Sequence, residues 1–224
     1  MMTTDLFFKA LGKFAAGLAL VAALLFIPAG TFRYDEAWLL IGILFIPMFI
    51  AGLVMMRFNP GLLVKRLNVR EEQKEQKTVI LLSGIMFAAA FILAGLNHRF
   101  GWIVLPKWVP YAAAAVFLAG YVLYAEVLRE NTYLSRTVEV QENQKVIDTG
   151  LYGVVRHPMY MSTLLLFLAM PLVLGSVISF AVMLFYIPII AGRIRNEEKV
   201  LEEGLEGYSD YKKKVRYKVI TFVW

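Results

Sequence analysis

Long apolar runs separated by short charged stretches dominate this chain and leave few folds open to it. A helical span needs roughly 20 mostly apolar residues. Four runs meet that length: 11–29, 37–56, 79–96 and 109–128. A fifth apolar region, 159–192, is too long for one crossing, and Pro171 and Gly175-Ser176 interrupt it near its middle. Each half falls short of a full span, which suits a tight helical hairpin that enters the membrane and returns. Within lipid, backbone polar groups must be satisfied inside the segment, which for separate runs means helices. The expected fold is therefore all-α: a polytopic membrane protein with four spans and a C-terminal transmembrane helical hairpin. No small-residue cleavage site follows the first run, which favours a retained first helix over a removable signal peptide.

Composition agrees. Hydrophobic residues make up 59% of the 224 and charged residues 18%, whereas soluble chains carry about 25% charged residues. A water-facing globule, a disordered chain and a disulfide scaffold are all excluded. Cysteine is absent, which removes thiolate metal sites, redox pairs and cysteine nucleophiles. The net charge of +6 reports membrane orientation and contact with anionic lipid in such a chain, and nucleic acid is not an expected partner. Of the 23 lysines and arginines, all but Arg33, Arg99 and Lys107 fall within 1–13, 57–77, 129–158 and 193–224. The positive-inside rule then predicts that both termini are cytoplasmic. There is no internal repeat of the kind a pseudo-symmetric transporter would carry. The chain divides by chemistry into N-terminal transmembrane helices, 1–128, and a region of interleaved polar stretches and apolar hairpin, 129–224.

Chemistry must come from the second part. The stretch 150–160, just before the hairpin, holds Gly150, Tyr152, Gly153, Arg156, His157, Pro158 and Tyr160. Pro158 is tolerated at a helix start, which puts Arg156 and His157 at the membrane surface near the positive end of the first hairpin helix. An interfacial anchor would look similar, but the density of hydrogen-bonding groups is high for one. At the hairpin's exit lie Arg193, Glu197 and Glu198, with Arg193 and Glu197 at i and i+4 on one helical face. A hairpin returns the chain to the side it entered from, so this cluster can face His157 and Tyr160. As an ordinary surface ion pair it would contribute only a few tenths of a kcal/mol. Over 198–217, Leu201, Leu205, Tyr208, Tyr211 and Val215 recur at helical spacing, which predicts an amphipathic cytoplasmic helix over the membrane face. Lys212, Lys213 and Lys214 read as a headgroup contact. Glu126, near the end of the fourth span, is an ionisable residue in a span and so a functional candidate. His98, the other histidine, falls on the opposite side from His157, so the two cannot share a metal. No HExxH spacing, strand-linked GxGxxG or Walker loop occurs.

These residues, in this order, resemble the isoprenylcysteine carboxyl methyltransferase family and the related membrane phospholipid N-methyltransferases. The pattern there is roughly G-x-Y-x-x-x-R-H-P-x-Y-x-G, an apolar hairpin, R-x-x-x-E-E, then G-x-x-Y-x-x-Y. Here Gly150, Tyr152, Arg156, His157, Pro158 and Tyr160 are followed by Arg193, Glu197 and Glu198, then Gly207, Tyr208 and Tyr211, with Gly207 directly before Tyr208 instead of three residues ahead of it. The stretch 135–141 also resembles bacterial members, which would make the location the inner membrane in a bacterial cell. The resemblance covers the chain from near 130 to its end; the first spans contribute nothing to it. It implies S-adenosylmethionine as cofactor, held by Gln141, Thr149, Gly150, Leu151, Tyr152, His157 and Tyr160, with Glu197 meeting the amino group. It implies that Arg193 orients the methyl acceptor and that a lipophilic or prenylated substrate enters sideways from the bilayer; Glu126, from its place in the fourth span, is a further substrate-side candidate. Two further positions depart from the pattern: Ser162 stands where glycine is common, and Thr221 where proline is frequent.

Two other readings stay open on sequence. Membrane sterol reductases, which use NADPH, share an Arg-His-x-x-Tyr element, though usually without proline after the histidine. A non-catalytic lipid-binding protein would carry the same clusters as anchors.

Overall fold

The computed structural model describes residues 4–67, 74–134 and 138–224, and every regular element among them is helical. In chain order these are α1 (Thr4–Ala29), α2 (Asp35–Phe58), α3 (Pro60–Leu67), α4 (Lys74–Phe100), α5 (Trp108–Glu130), a 3-10 turn (Gly150–Gly153), α6 (Pro158–Val173), α7 (Val177–Met183), α8 (Tyr186–Gly204) and α9 (Tyr208–Lys214). Helices α1, α2, α4 and α5 fall on the four apolar runs, each long and apolar enough to cross a membrane. The chain is an integral membrane protein. The short α3 was not anticipated; Pro60 opens it, where a missing N–H is harmless, and the Asn59 side chain accepts from the Leu62 amide at 3.1 Å.

Small residues set the helix spacing. A Cβ on Gly95 would lie 2.6 Å from the Leu25 carbonyl oxygen, so α4 crosses α1 at backbone contact, as glycine permits in membrane helices. Helix α6 packs most extensively on α5, where Gly120 gives room to Leu165 and Leu166. Phe117, Leu25, Leu40 and Val173 are fully buried in one core shared by α1, α2, α4, α5 and α6. The second chemical region is thus built into the same packing as the first.

The hairpin forms from α6 and the α7–α8 arm. Its reversal differs from the expectation in one detail. Pro171 is buried inside α6, and the chain turns at Leu174, Gly175 and Ser176, with Gly175 at φ +68°, a conformation that favours glycine. The return arm is also longer than the apolar run: Val177–Gly204 is by length and composition a fifth potential crossing, because the helix continues through the charged 193–204 segment. The turn lies level with the α1–α2 and α4–α5 connections. Tyr34 Oη donates to the Leu174 carbonyl at 2.7 Å, and Ser179 Oγ donates to the Ala90 carbonyl at 2.8 Å. His98 stacks on Tyr34 at this end, far along the helices from His157. The hairpin's open end therefore gathers the 138–157 loop and the C-terminal tail.

The single amphipathic helix expected over 198–217 is interrupted. Helix α8 ends at Gly204 and α9 restarts at Tyr208, after Gly207 at φ +82°. Leu205, Tyr208, Tyr211 and Val215 bury together against Val140, Val146 and Leu201. The apolar stripe is real, but it covers the preceding loop, and no lipid face is needed to explain it. Lys212, Lys213 and Lys214 pair with Glu202, Asp210 and Asp148 of the chain itself.

Candidate functional site

The entry loop is held by the end of α5. Glu130 accepts from the Leu151 amide at 3.0 Å, and Asn131 donates to Tyr152 Oη at 2.9 Å. Gly150 sits at φ +51°, and a Cβ there would lie 1.4 Å from Glu130 Oε1, so the carboxylate fits only against a glycine. The C-terminal tail then returns beside the motif: the Arg156 amide donates to the Tyr217 carbonyl at 2.9 Å and the His157 amide to the Lys218 carbonyl at 2.8 Å.

The two neighbouring carboxylates of α8 have different partners. Glu198 is buried, and its Oε1 takes both Arg156 Nε and Nη2 at 2.8 Å. Its Oε2 lies 3.0 Å from Lys218 Nζ. Arg156 also donates to the carbonyls of Val215 and Arg216 at 2.6 and 2.8 Å. This buried pair clamps entry loop, α8 and tail together. Glu197 points the other way. Tyr160 Oη donates to Glu197 in a short hydrogen bond, and Arg193 Nε donates to Tyr160 Oη at 3.0 Å. His157 lies between the carboxylates, Nε2 at 3.3 Å from Glu198 and Nδ1 at 3.9 Å from Glu197.

Between these groups opens a cavity of about 850 Å³, a volume that includes the open solvent at its mouth. Tyr152, His157, Tyr160, Arg193 and Glu197 all line it. The two ends of the hairpin therefore share one cavity, on the same side of the bundle. Arg193 and Glu197 are joined through the Tyr160 hydroxyl. Burial pushes the phenols of Tyr152, Tyr208 and Tyr211 above the usual tyrosine range, so each remains a neutral hydroxyl.

Five of the sequence-derived candidates lie outside the cavity wall. Gln141 donates its side-chain amide to the Tyr133 carbonyl at 2.5 Å. The Thr149 carbonyl receives the Tyr152 and Gly153 amides. Gly150 and Leu151 shape the turn against Glu130. Glu126 is ion-paired with Arg129 on α5. Of the 135–141 stretch, 135–137 lie outside the described residues. Conversely, Asn131, Glu139, Lys145 and Tyr208 line the cavity without having been picked as site residues. Tyr208 had a signal in its place in the tail motif and Glu139 in the 135–141 stretch; Asn131 and Lys145 sit in a loop without periodicity. Ser162, at the position where glycine is common, is fully buried with Oγ donating to the Pro158 carbonyl at 3.0 Å.

The family model for phospholipid methyltransferase matches residues 108–206. The structure of the eukaryotic intramembrane Ras methyltransferase ICMT (isoprenylcysteine carboxyl methyltransferase) aligns with a TM-score of 0.57, covering 94% of this chain and 75% of that one. At 19% identity the likeness is one of fold. The Delta(14)-sterol reductase of Mus musculus is 26% identical over 91 residues, which are 39% of this chain and 22% of the reductase. The chain thus spans about a fifth of that relative's length. The resemblance read from the motifs is borne out: residues 108–206 carry the phospholipid methyltransferase family pattern, in a membrane fold shared with an isoprenylcysteine carboxyl methyltransferase.

Proposed function

We propose that the chain is an integral membrane S-adenosylmethionine-dependent methyltransferase whose active site is the cavity at the hairpin's open end, within residues 129–224. The observation that carries this reading is the convergence of His157, Tyr160, Arg193 and Glu197 on that cavity, inside a segment with the family's pattern. The lining suits the cofactor. A carboxylate (Glu197) can meet an ammonium, basic groups (Lys145, Arg193) a carboxylate, and aromatic rings an adenine. The cavity wall also holds a buried hydroxyl, on Tyr208, with no partner among the described residues.

S-adenosylmethionine, when bound, supplies a methyl group on a sulfonium, so the protein's part is mainly alignment. Glu197 is held by Tyr160, fixing the carboxylate for an ammonium partner. Arg193 is anchored through Nε to the same hydroxyl, which orients the guanidinium toward a methyl acceptor. A carboxylate acceptor is already nucleophilic at neutral pH and needs only that orientation; a thiol or amine would also need a base, for which Glu197 is the cavity's candidate. Glu126, paired with Arg129 on α5, stands outside the cavity wall. Substrates are lipophilic, isoprenylcysteine-like carboxylates among them, entering between helices from the bilayer, and both termini and the cavity face the cytoplasm.

The test is calorimetry with S-adenosylhomocysteine on wild-type protein in detergent, followed by transfer of labelled methyl groups to lipid extracts. Arg193→Ala is expected to lower transfer roughly a hundredfold, as expected for loss of a transition-state contact, with cofactor binding retained. His157→Ala and Glu197→Ala are expected to weaken binding itself. Absence of binding to the wild type would end this reading. The sterol reductase similarity favours a second, NADPH-dependent reductase reading, and stabilisation by NADPH but not S-adenosylhomocysteine in thermal unfolding would select it.

A further inference from the structure

We infer that Tyr208 is a ligand-binding residue, its hydroxyl donating a hydrogen bond to an acceptor atom of the nucleoside sulfonium ligand; this rests on the methyltransferase reading above. Tyr208 lines the cavity and is 4% exposed. Its Oη is the one buried side-chain polar atom without a hydrogen-bond partner among the described residues. The other tyrosines around the cavity are engaged. Tyr211 donates to the Tyr152 carbonyl at 2.7 Å, Tyr160 to Glu197, Tyr133 to the Asn143 carbonyl at 3.1 Å, and Tyr152 accepts from Asn131. Adjacent rings of α9 thus separate in role: Tyr211 ties the tail to the entry loop, whereas the Tyr208 hydroxyl is committed to nothing among the described residues.

A buried hydroxyl left unpaired is destabilising, and each such group in a native protein calls for an explanation. Phenylalanine would fill the same space against Leu205 and Val215 without that cost. The hydroxyl is therefore explained by a partner that arrives with the ligand. Burial and the nearby carboxylates of Glu198 and Glu197 keep the phenol protonated, which makes it a donor at any pH the protein meets. Its partner is accordingly an acceptor: a carboxylate oxygen, a ribose oxygen or a ring nitrogen.

The experiment compares full-length wild type, Tyr208→Phe and Tyr211→Phe in detergent. S-adenosylhomocysteine is titrated by calorimetry, and thermal unfolding is recorded without ligand. Tyr208→Phe is expected to bind roughly five- to tenfold more weakly, the effect of one hydrogen bond, while its ligand-free melting temperature is unchanged or higher. Tyr211→Phe, which loses a bond that is made, is expected to melt lower. Equal affinity of Tyr208→Phe and wild type overturns the inference and leaves the methyltransferase reading standing. A ligand-free Tyr208→Phe that melts lower, or fails to fold, also overturns it, since the hydroxyl would then have an internal partner. No binding by the wild type overturns both.

Discussion

The hairpin's two ends are both polar places in an apolar protein, and they use polarity in opposite ways. At the turn, the buried polar side chains are neutral and matched: Tyr34 to Leu174, Asn97 to Ile103, Ser176 to Ser179 and Ser179 to Ala90. Among the described residues no charge is buried there. At the open end, Arg156, His157 and Glu198 are buried and ionisable, a cavity opens beside them, and one hydroxyl is unmatched. A membrane fold can close a helix reversal with a few hydrogen bonds, because neutral donors and acceptors are cheap to pair. Burying charge is costly unless it is fully coordinated. The open end carries that cost beside a cavity, which is what a binding site requires and a mere reversal does not.

The sharpest way to break this comparison is inside the α8 glutamate pair. Glu198→Ala strands Arg156 in a dry environment with only two carbonyls for company, and breaking a buried pair in this manner costs about 3–5 kcal/mol. A large fall in melting temperature in detergent is the expected outcome. Glu197→Ala removes a carboxylate that faces the cavity and is expected to leave stability nearly intact while weakening ligand binding. If the two variants exchanged phenotypes, the assignment of Glu198 to scaffold and Glu197 to site would be wrong.

Next in size is Gly150→Ala. The left-handed conformation costs a non-glycine residue about 1–2 kcal/mol, and the new methyl must push Glu130 off the Leu151 amide, a further ~1 kcal/mol. The expected loss is about 2–3 kcal/mol, read in thermal unfolding. Glu130→Gln, which keeps an acceptor for the Leu151 amide, is expected to lose far less. A wild-type-like Gly150→Ala would mean that the entry loop is not fixed by the end of α5.

How far the sequence could be read follows the range of the interactions. Four helices and a hairpin were legible because bilayer thickness sets span length locally, residue by residue. The meeting of His157 with Glu197 was legible because a hairpin's geometry brings its ends together whatever its side chains. What failed was local text with a non-local meaning. Glu197 and Glu198 read alike, yet about 100° of helical rotation separates them, and only the packing of the tail decides which faces the cavity. The tail's return beside Arg156 runs through backbone amides and carbonyls, which leave no pattern in the side chains. Leu205, Tyr208, Tyr211 and Val215 kept helical spacing through a break at Gly207, so periodicity overran the true end of α8. Gln141 and Thr149 entered through the resemblance and Glu126 as an ionisable residue in a span, and none of them lines the cavity. Their polar atoms are engaged in loop and helix contacts that a motif does not encode.

The smallest expected effect lies at the turn. Tyr34→Phe removes the hydroxyl that donates to the Leu174 carbonyl at 2.7 Å and lies 3.5 Å from the Ala94 carbonyl, and keeps the ring, which stacks on His98 at 3.9 Å. One neutral hydrogen bond contributes about 1 kcal/mol, so a small fall in melting temperature is expected. S-adenosylhomocysteine affinity is expected to stay at the wild-type value, because α6 spans roughly 24 Å between turn and cavity at 1.5 Å per residue. The comparison sets this variant against Tyr208→Phe. Both delete one tyrosine hydroxyl, one from a bond that is made and one from an atom left unmatched, so stability should fall in the first and affinity in the second. A Tyr34→Phe protein with weakened ligand binding would show that the reversal and the cavity are coupled through α6, and the two ends could no longer be assigned separate tasks.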